Sequence, residues 1–442
     1  MATDYVADTI VAPATPAGTG GVAVVRLSGP AVEDIADVML GGLPEPRHAE
    51  LHPFRNCDGE VIDVGIALYF PGPASFTGES VLELHGHGGP MLVAGLVAAA
   101  LELGARRAEA GEFAKRAFLN GKVDLTQAEA IADLIESGTS QAARAALRSM
   151  SGAFSDAVGD LARQLLELRT YVEAAIDFPD EEIDFLSDSA LRRRLDSARA
   201  TFERILDQAR TGRLLRDGFQ IVIVGKPNAG KSSLMNALSG EDTAIVTAIA
   251  GTTRDVLREQ IDLDGLAVEL VDTAGLRDDP DVIEAEGIRR AHEAMRSADA
   301  AICLTDASSG DPMDDVLGED LPRLIVRNKI DLTGDAAGLH GDAINISAVE
   351  GDGLDALKDE IKALAGFGDA GGSFSARQRH VDALTRSRRH FDTGVDRLES
   401  DRAGELLAEE LRLAHRALGE ITGQVTSDDL LGEIFSSFCI GK

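Results

Sequence analysis

The sequence predicts a multidomain protein of mixed α+β and α/β class. An N-terminal α+β domain leads into a discontinuous helical-bundle domain, and an α/β domain with a mostly parallel sheet is inserted between the two helical stretches. Three observations predict this. Short β-like runs alternate with Gly/Pro turns from Thr9 to about Gly121, and helical periodicity dominates from about Asp124 to Arg213 and again beyond Ser375. Between the helical stretches, apolar runs alternate with helical segments in the rhythm of a parallel α/β sheet. At 442 residues the chain is longer than one ordinary domain, and its 44% hydrophobic residues suffice for several cores.

Each part has its own signature. In residues 1–121 the runs VAVVRL (22–27), VGIALYF (64–70) and VLELHG (81–86) read as strands. In residues 122–215, Val158, Leu161, Leu165, Leu168 and Val172 recur at three- and four-residue spacing, as do Leu191, Leu195, Ala198, Phe202 and Ile205. Such stripes bury one face of a helix in a bundle. In residues 216–368 the runs QIVIVG, VELVD, AAICLTD and LIVRNK are the expected parallel strands. Residues 369–442 return to helix, with Leu407, Leu411, Ala414, Leu418 and Ile421 on one face, and the Gly-rich GFGDAGGS at 366–373 is the expected return linker.

Charge and composition exclude several classes. The longest apolar stretch, near Met91 to Leu103, is short and carries Glu102, so no membrane span is expected. The N-terminus lacks the basic and apolar regions of a signal peptide. Cys57, Cys303 and Cys439 are too scattered for a disulfide framework or a zinc site, so a reducing cytoplasm is expected. The net charge of -32 repels nucleic acid at long range, so an RNA substrate would need a local basic patch or a basic partner.

The inserted domain carries the chemistry. GKPNAGKSS, from Gly225 to Ser233, follows the apolar IVIV and precedes the helical LMNAL, the strand–loop–helix order of a P-loop. Gly225 and Gly230 allow a tight turn whose amides, with those of Asn228 and Ala229, face phosphates. Lys231 is expected to reach the β- and γ-phosphates, with Ser232 on Mg²⁺ and Ser233 beside it at the helix start. VELVDTAG sets Asp272 at the end of a buried strand, where its carboxylate can hold magnesium through water; Thr273, Ala274 and Gly275 follow toward the γ-phosphate. LIVRNKID supplies Asn328, Lys329 and Asp331. A carboxylate at Asp331 accepts from guanine N1–H and its exocyclic amine, a donor pair adenine lacks. The run Thr247, Ala248, Ile249, Ala250, Gly251, Thr252 and Thr253 reads as a switch segment, with the hydroxyl of Thr252 or Thr253 closing on Mg²⁺. Ser347, Ala348 and Val349 suit the last guanine-side loop. In order and spacing these pieces resemble translation-factor-like GTPases of the Era-like branch. Where Ras-like GTPases carry a water-orienting Gln, this chain has Leu276, so another residue must act; Glu284 or Glu286 in the acidic loop is the candidate.

Across essentially its full length the chain resembles the MnmE (TrmE) family of tRNA modification GTPases. The resemblance rests on DTIVAPATPAGTGGVAVVRLSG (8–29), SFTGESVLELHGHGGP (75–90), GEFAKRAFLNGKVDLTQAEAIADLI (111–135), the nucleotide motifs, and Phe438 to Lys442. It implies an N-terminal domain similar to folate-binding domains, which dimerises into a homodimer and binds 5-formyl- or 5,10-methylene-tetrahydrofolate. Arg26, Glu83, Lys122 and Lys442 fall at the family's folate-contact positions. It implies a flavoprotein partner, MnmG (GidA), and an aminomethyl or carboxymethylaminomethyl group built at C5 of the wobble uridine of certain tRNAs. It implies potassium-dependent GTP hydrolysis activated by pairing of the inserted domains, with Asn228, Thr247, Ile249 and Thr252 at the potassium positions and Thr253 at magnesium. Glu284, three residues before Gly287, aligns with the family's water-orienting glutamate. Cys439 stands where a nucleophile near the folate has been proposed for the family, against a plain packing role beside Phe435 and Phe438.

Two other readings compete: a ribosome-assembly or regulatory GTPase without modification chemistry, and a folate-dependent transferase with a vestigial nucleotide domain. The acidic helical tail argues against the first, and intact Lys231, Ser232, Asp272 and Asp331 against the second. His85-Gly86-His87 lacks a third metal ligand, and its glycine reads as a tight turn.

Overall fold

Alternating burial along the first strands builds an antiparallel sheet. The computed structural model describes residues 8–177, 189–226, 228–241, 258–272, 298–309, 321–367, 372–401, 403–425, 428–439 and 441. The N-terminal part runs β1 (Ile10–Pro13), β2 (Gly20–Ser28), α1 (Val32–Leu40), β3 (Glu50–Arg55), β4 (Val61–Phe70), β5 (Val81–Gly88), α2 (Pro90–Glu102), β6 (Arg106–Arg107), α3 (Glu112–Leu119) and α4 (Leu125–Glu136). Its six strands lie in the order β3-β4-β5-β2-β1-β6, antiparallel except for the β1–β6 pair. Val25, Leu27, Leu82 and Leu84 pack with Val32, Ile35 and Met39 of α1 and Leu96 and Val97 of α2 into one core. Helix α1 stops at Gly41, whose φ of 78° supplies the left-handed cap.

The helical texture continues as α5 (Ser140–Met150), α6 (Ala153–Asp177) and α7 (Ser189–Asp217). Every residue of the two stripes read from the sequence is buried: Val158, Leu161, Leu165, Leu168 and Val172 on α6, and Leu191, Leu195, Ala198, Phe202 and Ile205 on α7. The seven-stranded sheet follows, from β7 (Phe219–Gly225), α8 (Lys231–Glu241), β8 (Arg258–Leu263), β9 (Leu266–Asp272), β10 (Ala300–Asp306), β11 (Arg323–Asn328), α9 (Ile330–Thr333), β12 (Gly338–His340), β13 (Ala343–Asn345) and α10 (Leu354–Leu364). Strand order is β12-β13-β11-β10-β7-β9-β8, parallel except at the two edges. Helices α11 (Gln378–Asp401), α12 (Gly404–Thr422) and α13 (Asp428–Ser436) complete the chain.

The chain divides into two compact units, Met1–Ala132 with Leu418–Lys442, and Asp133–Ala417. In the second unit Phe202 of α7 meets Phe391 of α11 with ring centroids 5.4 Å apart. The segment returning from the sheet is strapped to α5 and the start of α6: Ser375 N–H donates to the Ala145 carbonyl at 3.2 Å, and Phe374 stacks on Phe154 at 4.3 Å. One buried carboxylate, Asp133, accepts from Arg216 Nε (2.9 Å) at the end of α7, and from Arg377 Nη2 (2.9 Å) and Ser375 Oγ (2.7 Å) in the returning segment. In the first unit, α13 lays Leu431, Ile434 and Phe435 on Ala114 of α3 and Leu125 and Ala128 of α4. No helix among the described residues is long and apolar enough to cross a membrane.

Candidate nucleotide-binding site

Parallel strands end together, and four of them end on a residue of interest. Gly225 closes β7, Asp272 closes β9, Asp306 closes β10 and Asn328 closes β11. These strands are neighbours, with Leu304 opposite Gly225, Asp306 opposite Asn328 and Ile223 opposite Asp272. The rim beyond the carboxyl ends of such strands is where open α/β sheets bind ligands.

The P-loop crosses this rim from β7 to α8. Asn228 is exposed with a left-handed φ of 65°, and Gly230 follows at φ 95°. A Cβ on Gly230 would lie 2.2 Å from Asn328 Nδ2, so glycine is needed for both torsion and space. Lys231 opens α8, where amides and helix dipole favour an anion. Its Nζ donates to the carbonyls of Gly225 (2.7 Å) and Lys226 (3.1 Å), which keeps the ammonium at the mouth of the loop. Ser232 and Ser233 are exposed on the first turn of α8.

The residues expected on the guanine side converge on the same rim. Asn328, only 2% exposed, donates from Nδ2 to the Ala229 carbonyl at 3.0 Å and accepts at Oδ1 from the Ala348 amide at 3.0 Å. One carboxamide thus ties the P-loop to the Ser347–Val349 loop. Ser347 Oγ donates to Asp331 Oδ1 at 2.7 Å, which orients the carboxylate two residues beyond Lys329. The Val349 side chain is 82% exposed. Backbone strand ends at Asp272 as expected. Thr247, Ala248, Ile249, Ala250, Gly251, Thr252, Thr253, Thr273, Ala274, Gly275, Glu284 and Lys442 lie outside the described residues.

Asp306 was not singled out by the motifs. Its Oδ2 accepts from Lys329 Nζ at 2.6 Å, and its Oδ1 accepts from the Ser308 amide (2.9 Å) and hydroxyl (2.6 Å). The Lys329 ammonium, then the Ser308 hydroxyl, hold the Asp306 carboxyl down at about 2. The available signal was Asp-Ala-Ser-Ser at the end of an apolar strand, a turn-forming pattern.

In the first unit, adjacent strands bring Arg26 and Glu83 into register, and Arg26 Nε donates to Glu83 Oε1 at 2.8 Å. Arg26 Nη1 also donates to the Gly441 carbonyl at 3.4 Å, next to Lys442. His85 Nε2 meets the other Glu83 oxygen at 3.1 Å. Lys122 sits on the Pro73–Gly78 loop, with Nζ donating to the Pro73 carbonyl at 2.9 Å. Cys439 is exposed, and its carbonyl accepts from the Gly111 amide at 3.4 Å. His85-Gly86-His87 does not form the expected turn. All three lie within β5, and Gly86 is required because a Cβ there would meet Asp63 Oδ2 at 2.6 Å. Among the described residues no cluster of His, Cys, Asp and Glu is arranged to hold a metal ion.

Known proteins match along the whole chain. The family described as GTP-binding protein TrmE N-terminus matches residues 9–122, and that described as MnmE helical domain matches residues 125–439. The tRNA modification GTPase MnmE of Alkalilimnicola ehrlichii is 55% identical over 440 residues, covering 98% of this chain and 99% of its own. Its namesake from Yersinia pestis is 53% identical over 450 residues, with coverage of 98% and 99%. A solved GTP-binding protein from Sulfolobus solfataricus in complex with GDP aligns with 47% of this chain and 67% of its own, at 20% identity and a TM-score of 0.25. On the matches at residues 9–122 and 125–439, and on identity above half along nearly the full length, the chain belongs to the MnmE family of tRNA modification GTPases.

Proposed function

We propose that the chain hydrolyses GTP in order to drive the building of an aminomethyl or carboxymethylaminomethyl group at C5 of the wobble uridine of certain tRNAs. The carrying observation is the Asn328 carboxamide, which joins the P-loop to the loop bearing Ser347, the partner of Asp331. Phosphate-binding and base-reading elements are thereby fixed to one another. In this reading the amides at the start of α8 and the Lys231 ammonium bind the β- and γ-phosphates. Asp331 accepts from guanine N1–H and the exocyclic amine, and Glu284 orients the attacking water in the place of the absent Gln.

Oxygen donors suit both cations of the proposal. Ser232, exposed on the first turn of α8, with Thr253 and Asp272 would hold Mg²⁺, which neutralises charge developing on the phosphates. The exposed Asn228, with Thr247, Ile249 and Thr252, would hold K⁺. For the folate donor, Arg26 supplies a cation and Glu83 a carboxylate, and Lys442 is assigned a second cation by the same proposal. Lys122 belongs to the same proposal from the adjacent Pro73–Gly78 loop. Pairing into a homodimer is supported by an uncovered apolar face on β3 and β4: Leu51, 75% exposed, stands opposite Ile66, and Pro53 opposite Val64. A flavoprotein partner of the MnmG kind would bring the redox chemistry, and with a net charge of -32 on this chain tRNA would be held by a local basic patch or by that partner.

Two measurements test the reading together. Cells lacking this chain should lose the wobble-uridine modification in nucleoside mass analysis; unchanged nucleosides would leave a regulatory or ribosome-assembly GTPase instead. Turnover of GTP by the purified protein should be markedly faster in potassium than in sodium, and equal rates would remove the cation from the proposal.

A further inference from the structure

The net charge of this protein is unevenly placed. Helix α7 carries eight arginines against four carboxylates, and residues 377–389, which lead into and begin α11, carry five arginines against Asp382 alone. These 42 residues thus hold a formal charge of +8, while the other 400 hold -40. Every cation in the two segments is arginine.

The two segments lie side by side within the second unit and run in opposite directions. Phe202 of α7 meets Phe391 of α11, and two turns further along α7 Gly212 lies against the Phe374 carbonyl, where a Cβ would come within 2.0 Å. Between these two contacts α7 carries Arg204 and Arg210, and α11 carries Arg379, Arg386, Arg388 and Arg389. Three carboxylates share the stretch, and each already has a partner. Glu203 lies 3.5 Å from Arg388 Nη2, Asp207 lies 3.9 Å from Arg210 Nη1, and Asp382 accepts from Gln378 Nε2 at 2.8 Å. Arg204, Arg386 and Arg389 are exposed. The bond of Arg204 goes to the neutral Gln208 side chain, at 3.4 Å, and Arg389 has no carboxylate partner among the described residues.

Such a face can take anionic groups from outside, and guanidinium forks match phosphate oxygens bidentately. The ten residues of α7 between the two contacts span about 15 Å, room for a short run of phosphates. Phe202 and Phe391 are fully buried, so neither ring is offered to a stacking base. A polyanion would be met here through its backbone, and the negative charge elsewhere on the chain would turn it toward this face.

We propose that the α7–α11 face holds the RNA substrate of this chain, through arginine contacts to the phosphate backbone that orient the RNA without reading its sequence. The inference rests on the tRNA-modification reading and assigns backbone contacts to this chain itself.

The test uses the full chain, without any partner, and a fluorescently labelled unmodified tRNA transcript titrated between about 50 and 200 mM salt. Log affinity should fall linearly with log salt, with a slope of about -3. Arg204→Gln combined with Arg389→Gln should weaken binding at least about tenfold and flatten the slope by about 2, alike for tRNAs of different anticodon. Arg163→Gln combined with Arg412→Gln removes the same charge from exposed, ion-paired positions on α6 and α12 and should leave affinity within about twofold. GTP turnover should be unchanged in both. Should the first pair melt early, Arg389→Gln alone serves, with the slope flattened by about 1. No binding by wild type, an affinity independent of salt, equal losses in both double variants, or a loss confined to some anticodons would each overturn the proposal. So would intact RNA binding by the first pair together with lost wobble modification in cells, which would give the face to a protein partner. Binding through this face by a chain whose deletion leaves wobble nucleosides unchanged would keep the face and sink the modification reading instead.

Discussion

Asn328 makes its two side-chain hydrogen bonds from a buried position, so neither partner has water to fall back on. Asn328→Ala should therefore leave the Ala229 carbonyl and the Ala348 amide unpaired, at a cost of ~1–3 kcal/mol each before relaxation. The expected outcome is a lowered thermal midpoint together with a loss of GDP affinity of at least about tenfold, read by calorimetric titration. At this scale the sequence was legible where chemistry is local. The P-loop and the Asn-Lys-x-Asp run declare themselves by spacing along a few residues. The bond from Asn328 to Ala229 spans 99 residues and has no sequence signature, and the same holds for Lys329 on Asp306. Gly86 was misread for a related reason: it is needed for the close approach of Asp63 from a neighbouring strand, not for a reversal of the chain.

Charge clusters link elements that periodicity alone leaves separate. In the first unit Arg116 of α3, 1% exposed, donates to Asp8 Oδ1 (2.6 Å), to Glu79 (3.1 Å) and to Glu112 Oε1 (2.9 Å), while Arg106 Nη2 takes Glu112 Oε1 at 2.7 Å. Burial would raise the Glu112 carboxyl, but the bonds from Arg106, the Glu109 amide and Arg116 carry it below its ordinary 4.5. A lowered folded value means that the stabilisation is complete above 4.5 and is lost as the pH falls through the folded value. The gap in thermal midpoint between wild type and Glu112→Gln should hold at neutral pH and shrink once the pH drops below 4.5. In the second unit Asp133 carries the end of α7 and the returning segment at once. Asp133→Asn should lower unfolding free energy by about 3 kcal/mol, since Arg216 and Arg377 then lack their charge partner; urea denaturation measures it. The helices themselves were readable because each stripe repeats within one element. What ties α4, α7 and the 373–377 segment together was not, because Asp133 looks like any other acidic residue on a helix.

The molecule as a whole carries a formal charge of -32, and like charges repel. Added salt shortens the screening length from ~10 Å at 0.1 M to ~3 Å at 1 M, so the thermal midpoint should rise across that range. A flat or falling midpoint would show that specific ion pairs outweigh general repulsion. The succession of strand-rich and helix-rich segments was legible at this level, since composition and period change along the chain. The partnership of α13 with α3 and α4 was not, because it joins segments from opposite parts of the sequence. That partnership also sets a schedule. A ribosome completes α3 and α4 long before α13, with the whole of the second unit made in between. Throughout that interval Ala114, Leu125 and Ala128 have no Leu431, Ile434 or Phe435 to lie against. A nascent chain thus keeps a sticky apolar face on α3 and α4 until α13 emerges.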